Sequence, residues 1–281
     1  MSPLYGRLHE LLTQRKYLHA DETTLQVLKE DGRSAHQKSY MWLYATSKDT
    51  GPPIYLYNYQ TTRARKHPKR FLRDFEGYLQ TDGYSGYNEL KNISLLGCFA
   101  HVRRKFVDAL KAVPDETSIT HLSATKGLNF CNKLYHIEKK LKDLTPEERY
   151  EVRKDESKKV LDAFYLWLQE VKNQALPKSS FGKAIGYSLR QWDKISKFLE
   201  DGHLSIDNNK AERAIRPFVI GRKIFLFSNT AKGATASARI YSVIETAKAN
   251  NLTPYYYLKY LFETLPNIDL DDQNSLDQLL P

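Results

Sequence analysis

The chain contains little cysteine and no long apolar run, and each absence excludes a class of protein. Its 281 residues include 2 cysteines, Cys98 and Cys131, which are too few for a disulfide scaffold and are typical of reduced thiols in a reducing compartment. No apolar run reaches the roughly 18 residues that a membrane-spanning helix needs. The N-terminus also lacks the apolar core of a secretory signal behind a basic start. We therefore expect a cytoplasmic protein without a membrane span.

Charged residues are abundant, and the two signs are not balanced. Hydrophobic residues make up 41% and charged residues 27% of the chain, which is ordinary for a folded protein of one or two domains. The 43 Lys and Arg residues against 33 Asp and Glu give a net charge of +10. This excess favours a polyanionic partner, because Lys and Arg that neutralise phosphates release condensed counterions. Charge alone does not name that partner.

Strand-like runs dominate residues 1–113. Lys16 to Val27, Ser39 to Ala45 and Ile54 to Gln60 predict three antiparallel strands, with a turn signal at residues 49–53. Further short elements are predicted in the order helix, strand, helix, strand and basic helix: Pro68 to Gly77, Tyr78 to Asp82, Tyr87 to Leu90, Ser94 to Phe99 and His101 to Ala112. This order is consistent with an α/β, ribonuclease H-like fold, in which a mixed sheet is flanked by helices.

The composition changes after residue 113. Residues 114–200 contain long Lys- and Glu-rich segments with helical spacing, and they predict an all-helical insertion. Residues 201–235 are expected to return to the α/β core. Residues 236–281 predict two helices, Ala236 to Asn250 and Pro254 to Leu265, followed by an acidic tail without periodicity that we expect to be mobile.

Three acids carry the chemistry that the sequence predicts. Asp21 and Asp82 stand at the edges of strand-like runs, and Glu212 lies in a charged, amide-rich segment with the pattern of a helix start. Carboxylates from two strands and a helix are typical of a two-metal phosphoryl-transfer site, because Mg²⁺ and Mn²⁺ take oxygen ligands. Each acid has a structural alternative, a strand-end acid or, for Glu212, a helix pair with Arg216. Glu22 points to the opposite face of its strand from Asp21 and is the weaker candidate.

Four sequence blocks occur in order around these acids. They are His19–Thr23, Thr81–Tyr87, Cys98–Phe106 and Asp207–Arg216. Together they resemble the catalytic region of the insertion sequence 66 family of bacterial DDE transposases, and the resemblance extends from about Ser2 to Pro266. It implies a metal-dependent polynucleotidyl transferase that uses two divalent ions, Mg²⁺ or Mn²⁺. The catalytic and metal-binding residues that it implies are Asp21, Asp82 and Glu212.

The resemblance also implies a reaction and partners. Activated water would cut a phosphodiester at the end of the mobile element, and the released 3′ hydroxyl would attack a target strand. The implied partner is double-stranded DNA, both element ends and target, bound by a homo-oligomer in the bacterial cytoplasm. Full-length members generally carry an N-terminal region with helical, zinc-binding and helix-turn-helix features, whereas Asp21 lies close to the start of this chain. We therefore expect a fragment or a truncated member without the DNA-recognition region.

Several basic or amide side chains are candidates for contact with DNA. Basic residues cluster at 63–70 and in the helix predicted after the fifth strand, and two candidates share a helical face with Glu212. The candidates are His101, Arg103, Arg104, Asn208, Arg216, Arg63, Arg65 and Lys66. Solvated surface charge is the structural alternative. For His101 proton transfer is a further alternative, since its ordinary pKa is about 6.5.

Other interpretations stay open at this point. A nuclease or resolvase of the same fold would cut DNA without joining it, and a domesticated or truncated DNA-binding protein would keep the fold without catalysis. Cys98 and His101 could form a zinc site with Cys131 and His136, but their spacing lacks the usual regularity, and buried thiols explain the cysteines better. Asp207 is a candidate cap for the helix that carries Glu212.

Overall fold

Helices and strands are mixed along the chain. The computed structural model describes residues 1–47, 51–113, 115–116 and 118–281. In chain order the elements are α1 (Ser2–Thr13), β1 (Tyr17–Lys29), β2 (Lys38–Thr46), β3 (Tyr55–Gln60), α2 (Lys66–Phe71), β4 (Gly77–Gln80), β5 (Ile93–Leu96), α3 (Phe99–Ala112), α4 (Ile119–Lys140), α5 (Pro146–Val152), α6 (Lys158–Val171), α7 (Ser180–Arg190), α8 (Trp192–Ile195), α9 (Asn209–Phe225), β6 (Ser228–Thr230), α10 (Ala231–Ala249), α11 (Pro254–Thr264) and α12 (Gln273–Asp277). A π-helical segment, Arg153–Ser157, joins α5 to α6. Within those described ranges, no helix has the length and apolar character needed to cross a membrane.

The strands form a mixed sheet. Its order among the described residues is β3-β2-β1-β4-β5, and β6 pairs with β1 off this path. β1 is antiparallel to β2 and β2 to β3, whereas β6 is parallel to β1. The β1–β2 register is unbroken from Leu18↔Thr46 to Gln26↔Lys38, so the side chains of β1 alternate regularly between the two faces of the sheet. The predicted α/β class with a mixed sheet flanked by helices is confirmed.

The chain divides into two compact units. The first contains residues 1–79, 84–94 and 209–281, and the second contains residues 80–83 and 95–208. Helix α3, which we predicted as part of the α/β core, belongs to the second unit. The described residues between 115 and 200 form helices and turns without strands, as an all-helical insertion requires. The four-part division at 113, 200 and 235 remains a prediction, and residue 114 lies outside the described residues.

In the first unit, α9 and α10 pack on one face of β1, β2 and β3. The core of this layer consists of alternate strand residues and the inward faces of the two helices: Leu25, Val27, Met41, Leu43, Tyr57, Ala211, Ile215, Phe218, Ala234 and Ala238. On the opposite face Trp42 contacts Tyr87 edge-on, and Tyr44 stacks on Phe71 of α2 with ring centroids 3.9 Å apart. Consecutive residues of β1 therefore face different surroundings.

In the second unit, aromatic side chains hold the helices together. Phe106 of α3 packs near Phe164 and Trp167 of α6, with ring centroids 5.9 and 6.1 Å apart. Phe130 of α4 stacks on Phe164 at 5.0 Å. Large aromatic rings of this kind supply much of the buried apolar area of a core.

Several boundaries differ from the predictions. The fourth strand ends at Gln80, so Asp82 follows the strand, and Cys98 follows β5 instead of lying within it. The predicted helix from Pro68 to Gly77 is shorter, since α2 ends at Phe71. Asp49 and Thr50 of the predicted turn lie outside the described residues.

The C-terminal tail also differs from the expectation of a mobile, irregular segment. It contains α12, and its Leu276 and Leu279 are buried. The Tyr257 hydroxyl donates a hydrogen bond to the Leu279 carbonyl at 2.6 Å, and Arg7 of α1 pairs with Asp277 at 2.6 Å. Two leucines three residues apart are too short a pattern to reveal this packing in the sequence.

Candidate active site

Asp21 lies on the sheet face that α9 covers. It is directly opposite Leu43 of β2, and Leu43 is opposite Tyr57 of β3. Leu43 and Tyr57 both belong to the core beneath α9, and the Tyr57 hydroxyl donates to the carbonyl of Ala214 in α9. Because the β1–β2 and β2–β3 registers are regular, Asp21 shares this face with Leu43 and Tyr57. Asp21 is partly exposed, and its Oδ1 accepts a hydrogen bond from the Glu22 backbone N–H at 2.8 Å.

Glu22 lies on the opposite face, as predicted from the strand period. Its side chain is 1% exposed and forms an ion pair with Arg63. Arg63 Nε donates to Glu22 Oε1 at 2.6 Å, and the Tyr87 hydroxyl donates to Oε2 at 2.9 Å. Burial, followed by the negative charge of Glu22, raises the pKa of Tyr87 well above its ordinary value, which keeps this donor protonated. These partners give Glu22 a structural role.

Glu212 lies in the first turn of α9, in the same unit as Asp21. The helix presses Ala211 and Ile215 onto the sheet, and Lys210 places its Nζ 5.7 Å from the ring of Tyr55 in the edge strand β3. Since a helix rotates by about 100° per residue, Glu212 is about 200° from Lys210 around the axis. Lys210 is on the β3 flank of α9, so partly exposed Glu212 is on the flank toward β1.

Arg222, near the C-terminal end of α9, forms hydrogen bonds with β1. Its guanidinium donates to the hydroxyls of Thr23 and Thr24 at 3.0 Å and to the Thr24 carbonyl. This contact holds α9 along β1, two residues from Asp21. The structure therefore brings the strand and helix that carry Asp21 and Glu212 together on one side of the sheet.

Asp82 belongs to the second unit, where the chain turns after β4. The Gln80 side chain donates to the carbonyls of Gly97 and Ser205 at 3.1 and 2.8 Å, which anchors the end of the strand. Asp82 itself is partly exposed, and its carbonyl accepts a hydrogen bond from the Tyr187 hydroxyl at 3.2 Å. Gly83 has a φ of +93°, a conformation that favours glycine.

Tyr187 of α7 is a contributor that the sequence analysis missed. Burial raises its pKa above the ordinary value, the charge of Asp82 acts in the same direction, and Arg104 opposes it. The hydroxyl therefore stays protonated and able to donate to the chain beside Asp82. It is 105 positions from Asp82, and no local pattern signals such a contact.

The basic candidates of the first unit have different surroundings. Arg63 is committed to Glu22 and also stacks over Tyr84, 3.8 Å from the ring centroid. Arg65 pairs with Glu89 on the surface. Lys66 at the start of α2 is exposed. Arg63 is therefore the ion partner of a buried acid, whereas Lys66 is on the surface.

Arg216 is exposed on α9, four residues after Glu212. In the part of the chain that the structure describes, Arg216 has no carboxylate within 4.0 Å. The structural alternative, an ion pair between Glu212 and Arg216, is therefore not formed. Asn208 immediately precedes α9 and is fully buried, with its backbone N–H directed to Cys98 Sγ at 3.2 Å. Such burial does not suit the predicted contact between Asn208 and DNA.

The basic candidates of the second unit lie at the start of α3. Arg103 and Arg104 are exposed and His101 is partly exposed. Arg103 Nε donates to the side-chain oxygen of Asn132 in α4 at 2.9 Å. Asp207 accepts a hydrogen bond from the Tyr135 hydroxyl at 2.9 Å and lies two residues before α9 begins, and its role as a cap stays a prediction.

The cysteines fit the interpretation of buried thiols. Cys98 and Cys131 are both fully buried and free. Burial raises the pKa of each thiol to about 12, so both are protonated near neutral pH.

Asp21 and Glu212 suit a divalent cation by their chemistry. Both are carboxylates, the oxygen donors that Mg²⁺ and Mn²⁺ prefer, and both are partly exposed. Partial exposure lets a hydrated ion reach them, whereas the carboxylate of Glu22 is enclosed by Arg63 and Tyr87. The donor set of the covered face therefore fits the predicted ions.

The fold and the carboxylates on β1 and α9 define an α/β protein with a candidate metal site. The sequence was compared with known protein families, and it matches two family models. Residues 1–236 match the transposase IS66 family, and residues 242–281 match the IS66 C-terminal element. The chain belongs to the IS66 transposase family. No solved structure matches it.

Its relatives include uncharacterized proteins of Sinorhizobium fredii. Protein y4jD is 30% identical over 296 residues, which cover 100% of this chain and 56% of the relative. Protein y4qI is 32% identical over 274 residues, which cover 92% of this chain and 49% of the relative. The chain therefore spans about half the length of these relatives.

Proposed function

We propose that this chain is the catalytic part of a DDE transposase with a ribonuclease H-like fold, which cuts DNA at the ends of an insertion sequence and joins them to a target. The observation that carries the proposal is the placement of Asp21 and Glu212 on one side of the sheet, within a chain of the IS66 transposase family. The proposed partner is double-stranded DNA in the bacterial cytoplasm, bound by a homo-oligomer.

Asp21, Asp82 and Glu212 are the proposed ligands of two divalent ions, Mg²⁺ or Mn²⁺. When bound, such ions activate an attacking oxygen and stabilise the leaving oxygen of a phosphodiester. The carboxylates of the chain fix where the ions sit and balance part of their charge. Glu22 has no part in this set, because Arg63 and Tyr87 hold it on the other face of β1.

The proposed reaction has two displacements at phosphorus. Water attacks a phosphodiester at the element end and releases a 3′ hydroxyl. That hydroxyl attacks a phosphodiester of the target strand, so one bond between oxygen and phosphorus forms as another breaks. Exposed Arg216, four residues after Glu212 on α9, is the proposed contact with a DNA phosphate beside the reacting group, a contact that positions DNA without reading its sequence.

Cleavage and joining of labelled DNA with candidate element ends, with and without Mn²⁺, test the proposal. Asp21→Asn, Asp82→Asn and Glu212→Gln should each lower cleavage by at least about a hundred-fold, because a lost ligand removes charge stabilisation from the transition state. Affinity for DNA should change little. Glu170→Gln, at an exposed acid of α6, is the matched control and should cleave like the unchanged chain.

The same proteins distinguish the alternatives. A nuclease would cut but would not transfer a pre-cut 3′ end to a target strand. A DNA-binding protein without catalysis would bind DNA but would show no calorimetric binding of Mn²⁺ that depends on Asp21 and Glu212. Unchanged cleavage by all three site variants would show that these acids are not the catalytic set.

A further inference from the structure

Helix α4 of the second unit carries a stripe of cationic and amide side chains on its exposed surface. Positions spaced alternately by three and four residues lie on one helical face. The exposed residues at this spacing are Lys126, Asn129, Lys133, His136 and Lys140. We name this set the α4 stripe. Its three lysines are seven residues apart, so it extends along about 21 Å of the helix at 1.5 Å per residue.

The α4 stripe borders an open groove of about 740 Å³. The residues lining the groove are Lys126, Asn129, Phe130, Asn132, Lys133, His136, Ile137 and Val160. Its polar rim therefore comes from α4, and its apolar floor comes from residues that pack between α4 and α6. Arg103 of α3 joins the rim through its hydrogen bond to Asn132 at 2.9 Å.

In the part of the chain that the structure describes, no acidic partner is found for the three lysines of the α4 stripe. Across the described residues, neither Lys126, Lys133 nor Lys140 has a carboxylate within 4.0 Å. Lys126 instead lies 5.9 Å from the ring of Trp167. At seven residues, the spacing places the three ammonium groups along one line of the helix surface.

Three lysines beside the α5–α6 junction of the same unit are neutralised locally. Lys158 pairs with Asp162 at 2.5 Å and Lys159 with Asp155 at 2.6 Å. Lys154 lies 3.6 Å from Glu151. Among the described residues, these three lysines therefore have acidic partners within 4.0 Å, whereas the lysines of the α4 stripe do not.

We propose that the α4 stripe binds the phosphate backbone of double-stranded DNA. This inference rests on the proposed function only for the identity of the polyanion. Duplex DNA carries one negative charge per about 1.7 Å of its axis, so a 21 Å row of lysines meets several phosphates. Asn129 and Asn132 can donate to phosphate and sugar oxygens, contacts that position DNA without specifying its sequence. The helical insertion would thus hold DNA through residues other than the three carboxylates.

The salt dependence of binding tests the inference. In the full chain, Lys126→Gln, Lys133→Gln and Lys140→Gln are combined, and affinity for duplex DNA is measured by fluorescence anisotropy between about 50 and 200 mM salt. If each lysine neutralises one phosphate, the slope of log affinity against log salt should fall by about 2.7. Affinity at the lower salt concentration should fall at least about ten-fold.

A second triple variant controls for net charge. Lys154→Gln, Lys158→Gln and Lys159→Gln remove the same three positive charges from ion-paired positions, and they should change affinity less than about two-fold because those charges are already neutralised locally. Circular dichroism establishes that both proteins are folded. If the stripe triple variant does not fold, Lys133→Gln alone should lower the slope by about 0.9.

The outcomes are separable. A stripe variant that binds DNA with the same slope as the control overturns the inference and leaves the proposed function intact. An unchanged chain that binds no duplex DNA refutes the DNA partner of the proposed function and this inference with it. A loss of affinity that is larger for RNA or single strands than for the duplex would reject duplex DNA as the occupant.

Discussion

Arg153 and Glu138 form a bidentate ion pair inside the second unit, with Nε–Oε1 and Nη2–Oε2 distances of 2.8 and 2.7 Å. The Arg153 side chain is 1% exposed. Its guanidinium also donates to the carbonyls of Phe198, Asp201 and Leu204 at 2.9 to 3.0 Å. Arg153, in the π-helical segment, thus joins Glu138 of α4 to the carbonyls of residues 198–204.

Loss of Arg153 should destabilise the second unit strongly. Arg153→Leu leaves Glu138 and three carbonyls without their donor, and breaking a buried pair costs about 3–5 kcal/mol. Urea unfolding followed by circular dichroism measures the change. Lys154→Ala, at the exposed neighbouring position, should stay within about 0.5 kcal/mol. A loss below about 1 kcal/mol for Arg153→Leu would mean that the network relaxes around the vacancy.

Adjacent acids on β1 should give opposite phenotypes. Asp21→Asn should abolish cleavage with little effect on unfolding, because Asp21 is partly exposed on the face toward α9. Glu22→Gln should instead lower the free energy of unfolding by about 1–3 kcal/mol, since it weakens the charge-assisted bonds with Arg63 and Tyr87. Parallel DNA cleavage assays and urea titrations separate the two effects. The reverse pattern would exchange the roles of the two acids.

The cleavage rate of Glu22→Gln should be proportional to the fraction of the variant that is folded. Normalising its rate to that fraction should restore the rate of the unchanged chain. A normalised rate that remains a hundred-fold low would give Glu22 a catalytic role.

His67 should make stability depend on pH in the acidic range. It is buried, and burial followed by the charges of Lys66 and Arg70 lowers its pKa to about 4. In the unfolded chain the imidazole titrates near pH 6.5. Between about pH 6.5 and 4 the unfolded state thus binds a proton that the folded state does not, so stability falls as the pH falls. His67→Gln should lose less stability than the unchanged chain between those pH values in urea titrations.

An exposed histidine is the control for this titration. His36→Gln should leave the pH dependence of unfolding as it is. If His67→Gln and the unchanged chain lose equal stability on acidification, His67 is not the group that titrates.

Both thiols should resist modification in the folded protein. Burial raises the pKa of Cys98 and Cys131 to about 12, and a buried neutral thiol reacts slowly with a disulfide reagent at pH 8. Two thiols should react after unfolding in urea. Unfolded thiols ionise from about pH 8.5, so the stability contributed by the raised pKa values should decline above that pH and toward pH 12. Rapid labelling of the native protein would contradict this burial.

The C-terminal tail should contribute through its leucines more than through its surface ion pair. Leu276→Ala and Leu279→Ala should each cost about 2–4 kcal/mol, because both side chains are buried and truncation leaves a cavity. Asp277→Asn should cost less than about 1 kcal/mol, since its pair with Arg7 is partly exposed. Thermal unfolding of the three variants ranks these effects. If Asp277→Asn lost as much stability as the two leucine variants, the ion pair with Arg7 would contribute as much to holding the tail as the buried leucines do.

The sequence by itself determined the family, the first three strands and the facing of the acids on β1. Four ordered motif blocks identified the family, and the matches over residues 1–236 and 242–281 confirmed it. A strand repeats every two residues, so Asp21 and Glu22 had to face opposite sides of the sheet. The assignment of Asp21, Asp82 and Glu212 as metal ligands stays a prediction.

Only the tertiary structure decided which candidate residues are buried or paired over long distances in the chain. Arg63, a candidate for DNA contact, lies 41 positions from Glu22 and is its ion partner, and Asn208 is buried. The lysines of α6 pair with acids four residues away, as spacing alone allows, whereas over the ranges that the structure describes the lysines of the α4 stripe have no carboxylate within 4.0 Å. Secondary-structure periods and helix ion pairs act over a few residues, whereas burial and long-range pairs such as Arg63 with Glu22 depend on neighbours far away in the chain, and no local pattern encodes them.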